Sequence, residues 1–407
     1  MNLGELLRAS LESIRAHKLR SFLTLLGIII GVSTVVAVAS VISGLNAYVQ
    51  EKVIQLSPDV FVVTKFGVIT SREEFFEAVK RPDLTVRDYQ KLAGTLTRAE
   101  AIAAEVGTQS AVKHGDKRLA DIQVHGCTAN YADLAGINLE TGRWFAETDD
   151  QASQAVVVIG WDVKTDLFPQ LDPLGRTVLV GEVPFRVVGL IAQQGRTLGQ
   201  SQDNQVFAPL NTFRKTWGTR NSIDMLIKAR GGVPGVEAAA DEVRAIVRAM
   251  RHTPFRSPDP FGVVTVESLQ VLWRTISAAA FILTILIASV SLGVGGIVIT
   301  NIMLVGVVER TREIGLRMAM GARKRDIRRQ FLLEAAILST AGGVAGVLIG
   351  GAAPVAVRAI LNFPAQLTPG IAAMGLGLST LVGLVAGYLP ARNASNLIVV
   401  DALRDES

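Results

Sequence analysis

The residues able to do covalent or metal chemistry are few and scattered. Cys127 is the only cysteine, so no intramolecular disulfide is available and the folded parts must rest on their own cores. The four histidines are His17, His114, His125 and His252. His114 and His125 could flank a metal with Asp116 or Asp121, but surface histidines on a β-hairpin account for the pair better. The sequence has no G-x-x-x-x-G-K-[ST] phosphate loop, no H-E-x-x-H, no C-x-x-C and no G-x-S-x-G. The reading is therefore a chain that is not an enzyme, with no catalytic, cofactor-binding or metal-binding residues.

One segment combines charge and apolar residues in a way that calls for a partner. Between Glu309 and Gln330 lie Arg310, Arg312, Arg317, Arg323, Lys324, Arg325, Arg328 and Arg329. Topological signalling explains these cations, because cytoplasmic loops beside spans collect Lys and Arg. It does not explain Ile314, Leu316, Met318 and Met320 among them, nor Gly315 and Gly321. A short helix ending at Gly321 would present a mixed apolar and basic face to a cytoplasmic protein. The candidate docking residues are Glu309, Arg310, Arg312, Glu313, Ile314, Gly315, Arg317, Gly321 and Ala322.

The elements that must position this loop are membrane helices. Ser21–Gln50, Ile276–Val308, Ala335–Val357 and Ala359–Ala391 carry no Asp, Glu, Lys or Arg. Each is at least as long as the ~20 residues that cross a bilayer core. The first is too long for the ~7–15-residue apolar region of a signal peptide and reads as a retained span. Residues 45–272 hold 25 Lys/Arg and 27 Asp/Glu, whereas the rest of the chain holds 16 and 9. The basic surplus thus lies beside the membrane, which argues against nucleic acid as a partner. It places both termini and the 309–330 loop in the cytoplasm and residues 45–272 outside.

The expected fold class is an α-helical membrane protein with four transmembrane helices and a large α+β periplasmic domain of two lobes. An amphipathic helix covers residues 1–18, with Leu3, Leu6, Leu7, Leu11 and Ile14 on one face and membrane lipid as its partner. Spans follow at 19–45, 272–308 (with a stalk, since the apolar run is overlong), 329–356 and 368–391, and a cytoplasmic tail at 392–407. The outer domain takes residues 46–271, with 46–110 and 205–271 forming one lobe and 111–204 an inserted one. Strands are expected at 59–64, 155–159, 176–180, 185–191 and 263–266, a Thr85–Asp88 capping box before a short helix, and a helix over Val236–Met250. Only Arg358 lies in the link between the last two spans.

The spans lack the mid-membrane carboxylates or histidines of ion-coupled transporters; Glu334 is near a span end. Energy for transport would have to come from another subunit. Gly27 and Gly31, the series Gly342, Gly346 and Gly350, and the pair Gly383 and Gly387 recur every fourth residue, which lets helices approach closely. Packing within the chain and a subunit interface both fit that spacing, and four helices are few for a transport unit, so a dimer is expected.

These segments resemble a known family. E-R-T-R-E-I-G-L-R-M-A-M-G-A (309–322), Q-F-L-L-E-A (330–335) and A-G-G-V-A-G-V-L-I-G (341–350) are similar to the FtsX-like permease signature. V-V-V-I-G (156–160) and D-P-L-G-R-T-V-L-V-G-E-V-P-F-R-V-V-G (172–189) resemble the MacB-type periplasmic core domain. R-S-F-L-T-L-L-G-I-I-I-G-V (20–32), L-P-A-R-N-A (389–394) and D-A-L-R (401–404) fit as well, so the resemblance covers nearly the whole chain. It implies a mechanotransmission ABC transporter subunit of the bacterial inner membrane. A second permease copy, identical or paralogous, and a cytoplasmic ABC ATPase dimer that binds the ATP would be partners. The 309–322 helix would be the coupling helix, the two outer lobes would be porter-like and inserted, and the ATPase would be a separate polypeptide. A membrane fusion protein and an outer-membrane channel would complete a tripartite pump for a drug, peptide or lipid-like substrate. The alternatives are a lipoprotein-releasing permease and a transmembrane regulator of a periplasmic cell-wall hydrolase.

Overall fold

A computed structural model describes residues 18–49, 57–197, 200–218, 221–361 and 365–398. The expected amphipathic helix before Lys18, His17 and the 401–404 motif lie outside the described residues. The chain divides into two compact units, one of residues 1–48 and 275–407, the other of residues 49–274.

Among the described residues the membrane unit has five helices, numbered here α1 (Lys18–Tyr48), α2 (Val266–Glu309), α3 (Thr311–Ala319), α4 (Lys324–Leu361) and α5 (Pro369–Ser395). All but α3 are long and apolar enough to cross a membrane. The α2 start differs from expectation. Thr265 and Ser268 each accept from the other's backbone N–H at 3.0 Å, a reciprocal cap that ends the preceding strand at Val264 and opens the helix at Val266. The result is one helix of 44 residues, about 66 Å long against a hydrocarbon core of ~30 Å. α4 also runs further than expected, so Arg358 lies within the helix and not in a link. Thr368 caps α5 by accepting from Ile371 N–H, with Pro369 at the first helical position.

The four-residue glycine spacing is used inside the chain. A Cβ on Gly27 would stand 2.9 Å from Gly295 Cα on α2, and one on Gly31 would meet Leu292. Gly342, Gly346 and Gly350 of α4 lie against Ile28, Val32 and Ser33 of α1. Gly383 and Gly387 of α5 face Ser339 and Ala335 of α4. Each of these seven glycines meets a neighbouring helix of the same chain. Ile28 and Val32 of α1, Leu292 and Ile299 of α2, Ala335 of α4 and Ala386 of α5 then close a shared core. Thr300 Oγ1 on α2 also donates to Ala386 O on α5 at 2.9 Å.

The outer unit is built on one mixed sheet. Its strands are β1 (Val60–Thr64), β2 (Ala99–His114), β3 (Lys117–Cys127), β4 (Leu139–Gly142), β5 (Val156–Ile159), β6 (Thr177–Val180) and β7 (Val183–Ile191). β8 (Arg196–Thr197) and β9 (Gln200–Ser201) form a separate small hairpin. β10 (Gln205–Pro209), β11 (Asp224–Ala229) and β12 (Gly262–Val264) follow. The order is β12-β1-β11-β2-β3-β10-β5-β7-β4, with β6 paired to β2 and β7. Strands from the segment expected as an inserted lobe therefore continue the sheet of the flanking segments, joined where β10 runs parallel to β3.

One face carries the main core, in which Phe61, Val106, Val124 and Ile227 pack against Leu92, Phe213 and Val243 of covering helices. Leu92 belongs to helix Val86–Thr95, which opens with the expected Thr85–Asp88 capping box, and Val243 to helix Val236–Met250. The other face is covered in part by the short helix Tyr131–Ala135, packed on Ala103 and Leu226.

Candidate partner-docking site

The charged loop folds into a bracket of two helices. A single residue, Arg310, separates the end of α2 from the start of α3. Arg310 leaves the helical conformation (φ −106°, ψ 14°) and breaks the axis. Gly321 closes the far end at φ +97°, a left-handed conformation that favours glycine, and Gly321 and Ala322 donate back to Met318 O and Arg317 O at 3.1 Å each. Asp326 Oδ2 then accepts from Arg323 N–H at 3.3 Å as α4 starts.

Inside this bracket the expected docking residues separate into two groups. Ile314 (3% exposed) and Gly315 are buried, with Ile314 in the cluster that holds Met303, Val307, Ile327 and Phe331. Arg317 is fixed on both sides: Nη1 donates to Gln330 Oε1 at 2.9 Å and Nη2 to Glu313 Oε1 at 2.5 Å. Arg310 pairs with Glu334 at 3.5 Å. Gln330 and Glu334, outside the expected set, are thus the α4 anchors of the loop. Their signal was available: Glu334 is the acidic residue beside a span, and Gln330 closes the charged run.

The outward group is apolar and charged together. Leu316 is 53% and Met320 74% exposed, and Glu309, Arg312 and Glu313 are exposed as well. A cleft of about 540 Å³ lies between the two helices, lined by Arg317, Met320, Ala322, Asp326, Ile327, Arg329, Gln330 and Leu333. The surface thus sets exposed apolar side chains among charged ones.

His114 and His125 of the outer unit go to separate partners. His125 Nδ1 is 2.7 Å from Glu105 Oε1, and His114 Nδ1 is 2.9 Å from Thr177 O. Among the described residues no group of three or more His, Cys, Asp or Glu could hold a metal ion. Asp224 stands directly opposite Glu105 in the β11–β2 register. Burial raises the Asp224 carboxyl to about 6 and the Glu105 charge adds to this, against a hydrogen bond from Thr64.

Residues 21–246 match the model of the MacB-like periplasmic core domain, and residues 285–397 that of the FtsX-like permease C-terminal region. The chain belongs to the MacB-type, FtsX-like permease family. The uncharacterized ABC transporter permease YknZ of Bacillus subtilis is 30% identical over 409 residues, all of both chains. The macrolide export ATP-binding/permease protein MacB 1/2 of Paracoccus denitrificans is 36% identical over 410 residues, 99% of this chain and 59% of its own. The chain spans about 60% of the length of the MacB relatives it matches. The crystal structure of the periplasmic region of MacB from Actinobacillus actinomycetemcomitans aligns at 18% identity and TM-score 0.46, over 56% of this chain and 97% of that one. The permease is an inner-membrane protein with four membrane helices and a periplasmic core domain of mixed sheet and helices.

Proposed function

We propose that this permease transmits the motion of an ABC ATPase to its periplasmic domain and so drives export. The anchoring of α3 carries this reading. Its outward face, Leu316 and Met320, is free for a partner, while Ile314 is set in the membrane core and Arg317 is tied to α4. A push on that face moves α4 with it, because yielding locally would break the Arg317–Gln330 bond and unbury Ile314. The ATPase binds and hydrolyses the ATP, and the permease performs no bond chemistry of its own. Two copies work with two ATPase subunits, both termini in the cytoplasm, and α2 relays the motion outward. Relatives named for macrolide export favour the drug-like member of the drug, peptide and lipid-like substrate classes, and a membrane fusion protein with an outer-membrane channel would complete the route out.

The test is the double substitution Leu316→Glu with Met320→Glu, at two exposed positions where the fold does not need the apolar side chain. The variant should insert normally but lose co-purification with the ATPase, and permease-dependent stimulation of ATP hydrolysis should fall at least about tenfold. Unchanged association and stimulation would remove α3 as the docking element.

A further inference from the structure

The outer unit holds a cleft that the transmission of motion does not use. Its volume is about 420 Å³, within the ~300–1,000 Å³ of small-molecule pockets. Helix Val86–Thr95 contributes Arg87 and Gln90 to its wall, and helix Leu210–Trp217 contributes Arg214. Val106 of β2 and Ile223, just ahead of β11, give it apolar surface, and Asn221 lies beside them. No Asp or Glu is among its described lining residues, so the cleft carries two cations and no acid.

Both cations lack a counter-ion among the described residues. Arg214 Nε is buried without a hydrogen-bond partner. Asp150 feels the Arg214 charge, but its two carboxylate oxygens accept from Asn211, at 2.7 Å from N and 3.1 Å from Nδ2. Asp88, next in sequence to Arg87, is taken by Thr85 and Arg251. Part-buried arginines elsewhere in the unit are paired: Arg248 donates to Asp259 Oδ1 at 2.6 Å, and Arg251 to Asp88 Oδ2 at 3.3 Å. A guanidinium drawn out of water without a partner is costly. The fold also holds Arg214 in place. Phe213 covers Gly126 of β3, and Trp217 stacks on Phe185 of β7 with centroids 5.9 Å apart, so the helix is anchored on either side of it. Asn221 is fixed as well, its Nδ2 donating to Gly107 O at 3.0 Å.

We propose that this cleft binds a small periplasmic molecule through an acid group, a carboxylate or a phosphate ester, held by the Arg87 and Arg214 guanidinium groups. The two acid groups share the chemistry that matters, a pair of oxygens able to accept the parallel N–H bonds of a guanidinium fork. The body of the molecule rests on Val106 and Ile223, and the carboxamides of Gln90 and Asn221 meet its polar atoms. An uncharged or cationic guest would leave Arg214 desolvated and unpaired, so the cleft selects for negative charge. Binding here requires neither the ATPase nor a second copy of the chain, and it stands apart from the function proposed above.

Titration calorimetry on the full-length permease in phosphatidylcholine nanodiscs, with empty discs as blank, tests the site. The probes are N-acetyl-leucine and butyl phosphate, and the amide of N-acetyl-leucine is the uncharged control. At least one acid should bind saturably, and the tighter of the two tells which oxyanion the cleft takes. The amide should bind at least about tenfold more weakly than its acid, the scale of one charge-assisted hydrogen bond. Arg214→Met keeps a long apolar stem and removes the charge. It should weaken acid binding at least about tenfold and leave the thermal midpoint of the unliganded protein equal or higher. Arg87→Gln, at an exposed position, should weaken binding without any demand on the fold. Arg118→Gln, exposed near the start of β3, should bind as the wild type does. No binding of either acid, equal affinity for acid and amide, or undiminished binding in both cleft variants would overturn the site. A lowered midpoint in Arg214→Met with binding intact in Arg87→Gln would make Arg214 a structural cation and overturn it as well.

Discussion

Asp224 shows how one side chain can be kept at a cost to its domain. It lies half-buried on β11 opposite Glu105, and its carboxyl is raised from an ordinary 3.8 to about 6. The folded form therefore holds a proton that the unfolded chain releases between those values. Stability falls as pH rises from about 4 to about 6, and the full cost, at most about 3 kcal/mol, is present above that window. Asp224→Asn keeps an acceptor for Thr64 and removes the charge. It should raise the thermal midpoint of the outer unit at pH 7.5 and leave it nearly unchanged at pH 4.5, where the native carboxyl is already neutral. Equal gains at both pH values would mean that repacking, not charge, is responsible.

At the scale of elements, the helices depend on backbone contact. Gly350 on α4 faces Ser33 O on α1, 2.7 Å from where a Cβ would sit, and a helix backbone cannot step aside as a side-chain tip can. Gly350→Leu should separate α1 from α4 and destabilise the membrane unit by at least the ~1–3 kcal/mol of an overpacked core. Gly377→Ala, at an open position, should be neutral. Thermal unfolding and size-exclusion profiles of the two variants decide it, and equal behaviour would mean the close approach is not needed. The existence of the spans was legible because an absence of charge over more than 20 residues has few other meanings. The end of α3 was legible because Gly321 sits where a left-handed residue must. The partner of each glycine was not, since four-residue spacing marks a smooth face without saying what touches it; Gly343 against Ser379 and Gly375 against Val36 were missed for that reason. The joining of β3 to β10 was hidden because a parallel pairing so distant in sequence leaves no local pattern.

At the scale of the molecule, α2 is the element on which the proposed mechanism stands or fails. It follows β12 after Thr265 alone, runs 44 residues without a break, and hands the chain to α3 through Arg310. A relay of this kind works by stiffness, which in a helix comes from the unbroken ladder of backbone hydrogen bonds. Proline removes one of those bonds and clashes with the carbonyl four residues earlier, at about 3 kcal/mol or more. Ala279 is an exposed position on α2, remote in sequence from the α3 bracket, so Ala279→Pro attacks the relay alone. The variant should reach the membrane, bind the ATPase and support ATP hydrolysis, because the surfaces for those tasks lie nearer the other end of the helix. Export should fall at least about tenfold while hydrolysis continues, a separation that loss of folding would not produce. Ala279→Ser, which keeps the ladder, should export normally. Full export by the proline variant would mean that the periplasmic domain is driven by some route other than a rigid α2.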